Sequence, residues 1–482
     1  MPLTSIIRDK WTGYRKIRIA VMGTKGSGKT VFLSAIANHL SNHSPENFNL
    51  GGLRVSHHAI AGTTLDGFPL FDSAGALAAF ERGEWPAKTT NPSVLAMPLT
   101  LTDETKKGRR EDVRLEILDI PGERIADFPM MGHSYREWCN WLQNAWAGPN
   151  GTSEAYRRYL GQVSAMNPGQ DGDTRQAAKQ ALFDAYRDFI ADGYANYAAH
   201  VTPSTVKLEL DGTTHGGTPA AFREAIGGIP LGFRDDAGQL REFAPLPDAC
   251  FGRESPWRHL VREFSKNYDK YAAKIVRPME GWLKDANALF YLVDALSLLQ
   301  AGSRAWFSEK SYGEAAIRTL CPRREGNLLS RMGRGLWGML LRTKVRDIRL
   351  VATKADRVLS GDRDNLRRLV ENLFGNLLDS ANAQATACAA VCSTTEATAE
   401  QDGVQIPVLR GKLAGAESPN ADRTWIPSPV PASQPRTSEQ WEDKKKAGEF
   451  NYPETFPVFD PSLGLPPDHL GLNTLVKTML AR

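Results

Sequence analysis

The stretch Gly23-Thr24-Lys25-Gly26-Ser27-Gly28-Lys29-Thr30 fits G-x-x-x-x-G-K-[ST], a pattern that dictates its own surroundings. Before it, Lys16–Met22 reads as a buried strand. After it, Val31–Leu40 reads as a helix with an apolar face. A strand, a glycine loop and a helix N-terminus aim free backbone N–H groups and the helix dipole at one point, which makes an anion site. Glycines let the main chain curl around phosphate without Cβ clashes. Lys29 would bring positive charge to the β- and γ-phosphates, and the Thr30 hydroxyl would reach Mg²⁺. The expected phosphate-binding set is Gly23, Lys25, Gly26, Ser27, Gly28, Lys29, Thr30 and Val31.

A chain of 482 residues exceeds one such domain, and 41% hydrophobic content suffices for a sizeable core. A net charge of +4 gives no reason to expect nucleic acid as a partner. The five cysteines are odd in number and scattered, without a CxxC pair. That argues for a reducing compartment and against disulfides or a zinc site. Met1–Trp11 lacks a signal-peptide core, and no apolar run is long enough to span a bilayer. The expected location is cytoplasmic, with peripheral contact at the inner membrane left open.

Ser93–Leu101 partly alternates, with Pro98 suggesting an edge strand. Thr102–Asp112 looks like a hairpin turn, and Val113–Leu118 alternates cleanly into Asp119, so these two strands should pair antiparallel. Ala288–Val293 and Asp347–Ala352 are continuous apolar runs, as expected of strands covered on both faces. Ala387–Cys392 is the candidate last core strand, and His469–Leu480 has helical spacing. The implied fold is α/β, a mostly parallel sheet with helices on both faces. The expected core comprises residues 1–123, 285–395 and 468–482.

Two segments fall outside that scheme. Residues 124–284 read as an inserted, largely helical, aromatic-rich subdomain with one alternating stretch, Val206–Leu210. Residues 396–467 form a Pro-rich excursion whose composition leans towards loop. A further stretch, Ile317–Arg349, interleaves arginines with Leu328, Met332 and Trp337. It reads either as a membrane-surface or partner helix or as an ordinary helix that solvates its arginines.

Asp119 ends an apolar strand and continues as Ile120-Pro121-Gly122, giving D-x-x-G in the right order after the P-loop. Asp119 is placed to hold a Mg²⁺ water, and the Gly122 N–H to sense γ-phosphate. Thr353-Lys354-Ala355-Asp356 resembles the [NT]-K-x-D motif of GTPases. Asp356 would accept the guanine N1–H and exocyclic amine, a donor pair adenine lacks, while the Lys354 stem lies over the base. Thr353 stands where many GTPases have Asn. Thr89 or Thr90 would order around γ-phosphate and Mg²⁺. Cys392 and Ser393 are candidates for a second base-contacting loop.

In this order the motifs look like a Ras-like P-loop GTPase with a long insertion. The surrounding residues resemble the bacterial YcjX-like family: Trp85-Pro86-Ala87-Lys88-Thr89, Asp119–Glu123, Asp127–Met131, Arg136-Glu137-Trp138, Val408–Gly411 and Tyr452-Pro453 with Phe456–Phe459. The resemblance favours Thr89. It implies a GTP/GDP-binding protein using Mg²⁺, linked to envelope stress and to a membrane-protein partner. At Arg124 the chain departs from the family's usual Trp.

The expected catalytic set is Lys29, Thr89, Gly122 and Glu123, with Thr30, Thr89 and Asp119 around the metal. Glu123 stands where many Ras-like enzymes carry Gln, and a carboxylate adds negative charge beside γ-phosphate, so slow turnover is expected. Arg124 either supplies positive charge in cis or is a surface arginine. Two other readings compete: an ATPase of the same fold, and a nucleotide-bound adaptor that does not hydrolyse. The nine histidines form no metal-ligand pattern.

Overall fold

β-branched and apolar residues fill Arg15–Met22 (β1), which is wholly buried from Ile17 onward. It lies at the centre of a seven-stranded sheet. The computed structural model describes residues 14–58, 62–87, 89–147, 153–169, 171–197, 202–210, 218–320, 345, 347–378, 383–386, 388–414, 421–457 and 468–480. The other strands are β2 (Leu53–His57), β3 (Ser93–Asp103), β4 (Arg109–Asp119), β5 (Ala288–Val293), β6 (Asp347–Ala352) and β7 (Ala383–Thr386), in the order β7-β6-β5-β1-β4-β3-β2. Pairs from β7 through β4 are parallel; β3 runs antiparallel to both β4 and β2. Register aligns the C-terminal ends: Val21 faces Asp119, Met22 faces Tyr291, and Val293 faces Ala352. The P-loop, Asp119 and Thr353 therefore leave the sheet along one edge, where open α/β sheets bind ligands.

Helix α1 (Lys29–Ser41) packs Phe32, Leu33, Ile36 and Leu40 on one sheet face, together with Leu475, Val476 and Met479 of α3 (Leu472–Leu480). Each such fully buried side chain contributes roughly 1.5–3 kcal/mol. On the other face, α2 (Arg363–Leu378) buries Leu366, Leu369, Val370 and Leu373, and Phe374 meets Tyr291 at 5.3 Å. The sheet thus carries helices on both faces.

Three expectations change. β3 is not an edge strand, because β2 covers it from Leu99 onward. Pro98 sits just past the end of that pairing, where its carbonyl accepts from His58 N and its missing N–H disturbs no ladder bond. The β3–β4 turn is tighter than residues 102–112, closing between Asp103 and Arg109 through Lys107 and Gly108 at positive φ. The last core strand is β7, not residues 387–392. Ala390–Val391 pairs instead with His469–Leu470.

By contact the chain divides into two units. The first comprises Met1–Gly122, Asp285–Ser303 and Lys344–Arg482; the second comprises Glu123–Lys284 and Arg304–Thr343. Within the first unit the Pro-rich region forms an antiparallel sheet of Thr394–Gln401, Val404–Lys412 and Asp422–Trp425, followed by a helix, Ser438–Lys446. Asp402 and Gly403 at positive φ make its hairpin turn.

The second unit is largely helical, with helices at Tyr135–Ala147, Glu154–Ala165, Gly172–Tyr197 and Arg258–Tyr271. Several of its buried tyrosines donate to buried acceptors, as burial favours. Tyr159 donates to Pro245 O at 2.5 Å, and Tyr186 to Thr202 O at 2.6 Å. Val206–Leu210 is helical, within Ser204–Leu210. Five alternating residues cannot outweigh a helix that points Val206, Lys207 and Leu210 inward and has its first N–H, on Ser204, accepted by Asp127 Oδ1.

Among the described residues no helix is long and apolar enough to cross a membrane. Of the arginine-rich stretch, 321–344 and 346 lie outside the described residues, Cys321 among them.

Candidate functional site

The loop after β1 makes a bowl. Gly23 has φ 149°, and a Cβ there would lie 2.2 Å from Leu292 O, so only glycine fits. Gly28, at φ 84°, N-caps α1 and has no side chain to cap the first-turn amides. Lys25 and Gly26 are exposed at the loop tip, Ser27 is buried, and Val31 packs against the core. Lys29 is 7% exposed, and its Nζ donates to Gly23 O at 2.7 Å and Thr24 O at 3.0 Å. The ammonium is thereby held across the bowl.

Three side chains from different elements meet beside it. Thr89 Oγ1 is 2.7 Å from Asp119 Oδ2 and 3.0 Å from Thr30 Oγ1. An ionised carboxylate only accepts, so Thr89 donates to Asp119 and Thr30 donates to Thr89. Thr90, the rival, is exposed. Burial pushes the Asp119 carboxyl above its ordinary value, opposed by the Lys29 charge and the Thr89 hydrogen bond. Its buried Oδ1 has no hydrogen-bond partner among the described residues. Two hydroxyls and a desolvated carboxylate are an oxygen-only donor set, which fits Mg²⁺. A divalent cation there would also favour the ionised carboxylate that burial disfavours.

Gly122 lies against the P-loop: a Cβ on it would sit 2.3 Å from Lys25 N. The next residue, Glu123, is 1% exposed and opens the second unit. Arg124 is not a surface arginine. It is 7% exposed, donates to Ser204 Oγ at 2.8 Å and lies 3.7 Å from the Asp127 carboxylate. Ser204 N, Ser204 Oγ and Tyr271 OH donate to Asp127 at 2.9, 2.5 and 2.7 Å. Arg124 is needed there because burial raises the Asp127 carboxyl from its ordinary value, and the guanidinium opposes that rise.

Thr353, 6% exposed, donates its hydroxyl to Val293 O at 3.2 Å. Lys354, at φ 57°, pairs its ammonium with Asp294 Oδ2 at 2.6 Å. Burial alone would raise Asp294, but the charges of Lys354 and Arg357 outweigh it and hold the carboxyl below its ordinary value. Sequence reasoning missed Asp294, although it ends the apolar β5 as Asp119 ends β4. Asp356, 4% exposed, accepts at Oδ2 from Ser393 N (2.7 Å) and Ser393 Oγ (2.6 Å). The Cys392 thiol is pushed up to about 12 by burial and by the charges of Asp356 and Asp468, so it is no nucleophile. The structure thus forms two groups, Lys29–Thr30–Thr89–Asp119 and Asp356–Ser393, each closed by direct hydrogen bonds or charge.

A family model described as "YcjX-like family, DUF463" matches residues 17–222 and 234–481. The Ras-like GTPase YcjX of Escherichia coli (strain K12) is 24% identical over 452 residues, 87% of this chain and 87% of that protein. The Ras-like GTPase YcjX of Shewanella oneidensis (strain MR-1) is 24% identical over 384 residues, 75% of this chain and 73% of that protein.

Proposed function

Since the chain belongs to the YcjX-like family, we propose that it is a P-loop switch protein that binds GTP and GDP with Mg²⁺ and hydrolyses GTP slowly. The observation that carries this is the convergence of Thr30, Thr89 and Asp119 beside the glycine bowl. Thr30, Thr89 and Asp119 would hold Mg²⁺, which when bound neutralises charge on the β- and γ-phosphates. The loop amides and Lys29 bind and orient the phosphates, and the Gly122 N–H answers to the terminal one. Asp356, fixed by Ser393, selects guanine. An ATPase of the same fold is less favoured, since adenine lacks the N1–H and exocyclic-amine pair that the buried Asp356 carboxylate would accept from guanine beside its bonds from Ser393.

Thr89→Val keeps the shape and removes the hydroxyl. It should weaken Mg²⁺-dependent GTP binding about tenfold and leave GDP binding within about threefold. Affinities measured with and without Mg²⁺ check this, and equal losses for GTP and GDP would count against it.

Glu123, which stands directly after Gly122 where many Ras-like enzymes carry Gln, is proposed to slow hydrolysis through its negative charge. Turnover of the protein alone is expected at about 10⁻³ to 10⁻² per second. Glu123→Gln should raise it about tenfold. Single-turnover hydrolysis tests both; unchanged turnover would favour the non-hydrolysing adaptor. The family resemblance further supports a place in the bacterial envelope or stress response, in the cytoplasm or at the inner membrane with a membrane-protein partner. A pull-down comparing GDP with a slowly hydrolysed GTP analogue tests that role.

A further inference from the structure

The segment Tyr452–Pro457, which ends the described part of the Pro-rich excursion, bonds to Ser393 and to Trp85, four residues before Thr89. Thr455 is 5% exposed and bridges to Leu413, while Phe456 N donates to Lys412 O at 2.9 Å. Tyr452 O accepts from the buried Arg357, next to Asp356. Thr455 Oγ1 is 2.7 Å from Ser393 Oγ. The direction of that bond follows from chemistry. Ser393 already donates its one hydroxyl proton to Asp356 Oδ2. Its oxygen can therefore only accept, so Thr455 is the donor. The backbone of the same residue faces the other way, and Thr455 O accepts from Trp85 Nε1 at 2.7 Å. Trp85 lies four residues before Thr89 and packs edge-on to Phe80 at 6.2 Å.

We propose that Thr455 is a positioning residue for guanine recognition, holding Asp356 through the one-way chain Thr455 to Ser393 to Asp356. This rests on the reading of Asp356 as the guanine acceptor. The Ser393 hydroxyl is rotatable and lies within reach of two oxygens, Asp356 Oδ2 and Thr455 Oγ1. A donor behind it fixes the rotor, so the proton always points at Oδ2, and each bond in such a chain polarises the next. Asp356 Oδ2 is then held by two donors, and the plane of the carboxylate is set before any base arrives. The Trp85 contact ties the same backbone to the loop that carries Thr89. The Pro-rich excursion thereby serves the site, although none of its residues needs to touch nucleotide.

The test uses the full chain and compares GDP with ADP by calorimetry. Thr455→Val keeps the shape and removes the donor. GDP affinity should fall about tenfold, while ADP affinity, which rests on the P-loop, stays within about twofold and reports folding in the same sample. Thr455→Ser should restore GDP affinity. In a Ser393→Ala background, Thr455→Val should add less than about twofold, since the chain is already cut. Equal loss of GDP and ADP, or an additive double variant, would overturn the positioning role. So would an unchanged GDP affinity in Thr455→Val of a protein that prefers GDP. A wild-type protein with no preference for GDP over ADP would instead remove the guanine reading itself, and this role with it.

Discussion

Asp356→Asn is expected to weaken GTP binding about 100-fold and to leave ATP binding nearly unchanged. The carboxamide still accepts from Ser393 but turns an N–H₂ towards a base edge that is itself a donor. One hydrogen bond to a charged acceptor is worth about 1.5–3 kcal/mol, and about 2.7 kcal/mol is a hundredfold. Competition titration of GTP against ATP gives the ratio directly, and equal loss for both nucleotides would count against guanine selection. pH adds a second readout. Burial raises the Asp356 carboxyl above its ordinary value, against the hydrogen bonds from Ser393. Only the ionised form accepts from both guanine donors. GTP affinity should therefore decline towards acid at a higher pH than an ordinary aspartate would give, and Asp356→Asn should abolish that decline.

Asp127→Ala should destabilise the second unit by about 3–5 kcal/mol, because Arg124 would remain buried without its counter-charge. Ser204 and Tyr271 would lose their acceptor at the same time. Asp127→Asn keeps most of the geometry and should cost less, about 1.5–3 kcal/mol. The contrast is Arg136→Ala, which breaks the exposed pair with Asp248 and should change stability by no more than about 1 kcal/mol. Denaturant midpoints of the three variants give the order. An Asp127→Ala loss no larger than that of Arg136→Ala would show that the network is not a stabilising one.

The parts of this molecule that were legible in the chain are those written in neighbouring residues. Six consecutive apolar residues marked β5, a glycine run marked the loop, and Leu115–Asp119 marked a strand ending in a carboxylate. What was hidden depends on partners far away. Arg124 looked ambiguous because Ser204 lies 80 residues on. Thr455 carried no signal because its partner Ser393 is 62 residues back. β7 reads Ala-Gln-Ala-Thr, too short and too polar for a propensity argument to recognise. Two signals were present and outweighed. Asp402-Gly403 between alternating segments announced a hairpin inside a region whose proline content suggested loop. Asp294 closed an apolar strand as plainly as Asp119 did.

The central claim is that the amides around Gly23–Thr30 wrap a bound diphosphate. Calorimetric titration of GDP and GTP into the Mg²⁺-supplemented protein, beside Lys29→Ala, tests it most directly. One nucleotide per chain with roughly micromolar affinity is expected, together with a loss of about 100-fold or more in Lys29→Ala. Absence of heat from folded wild-type protein with every guanosine and adenosine polyphosphate, or equal affinity in Lys29→Ala, would contradict it.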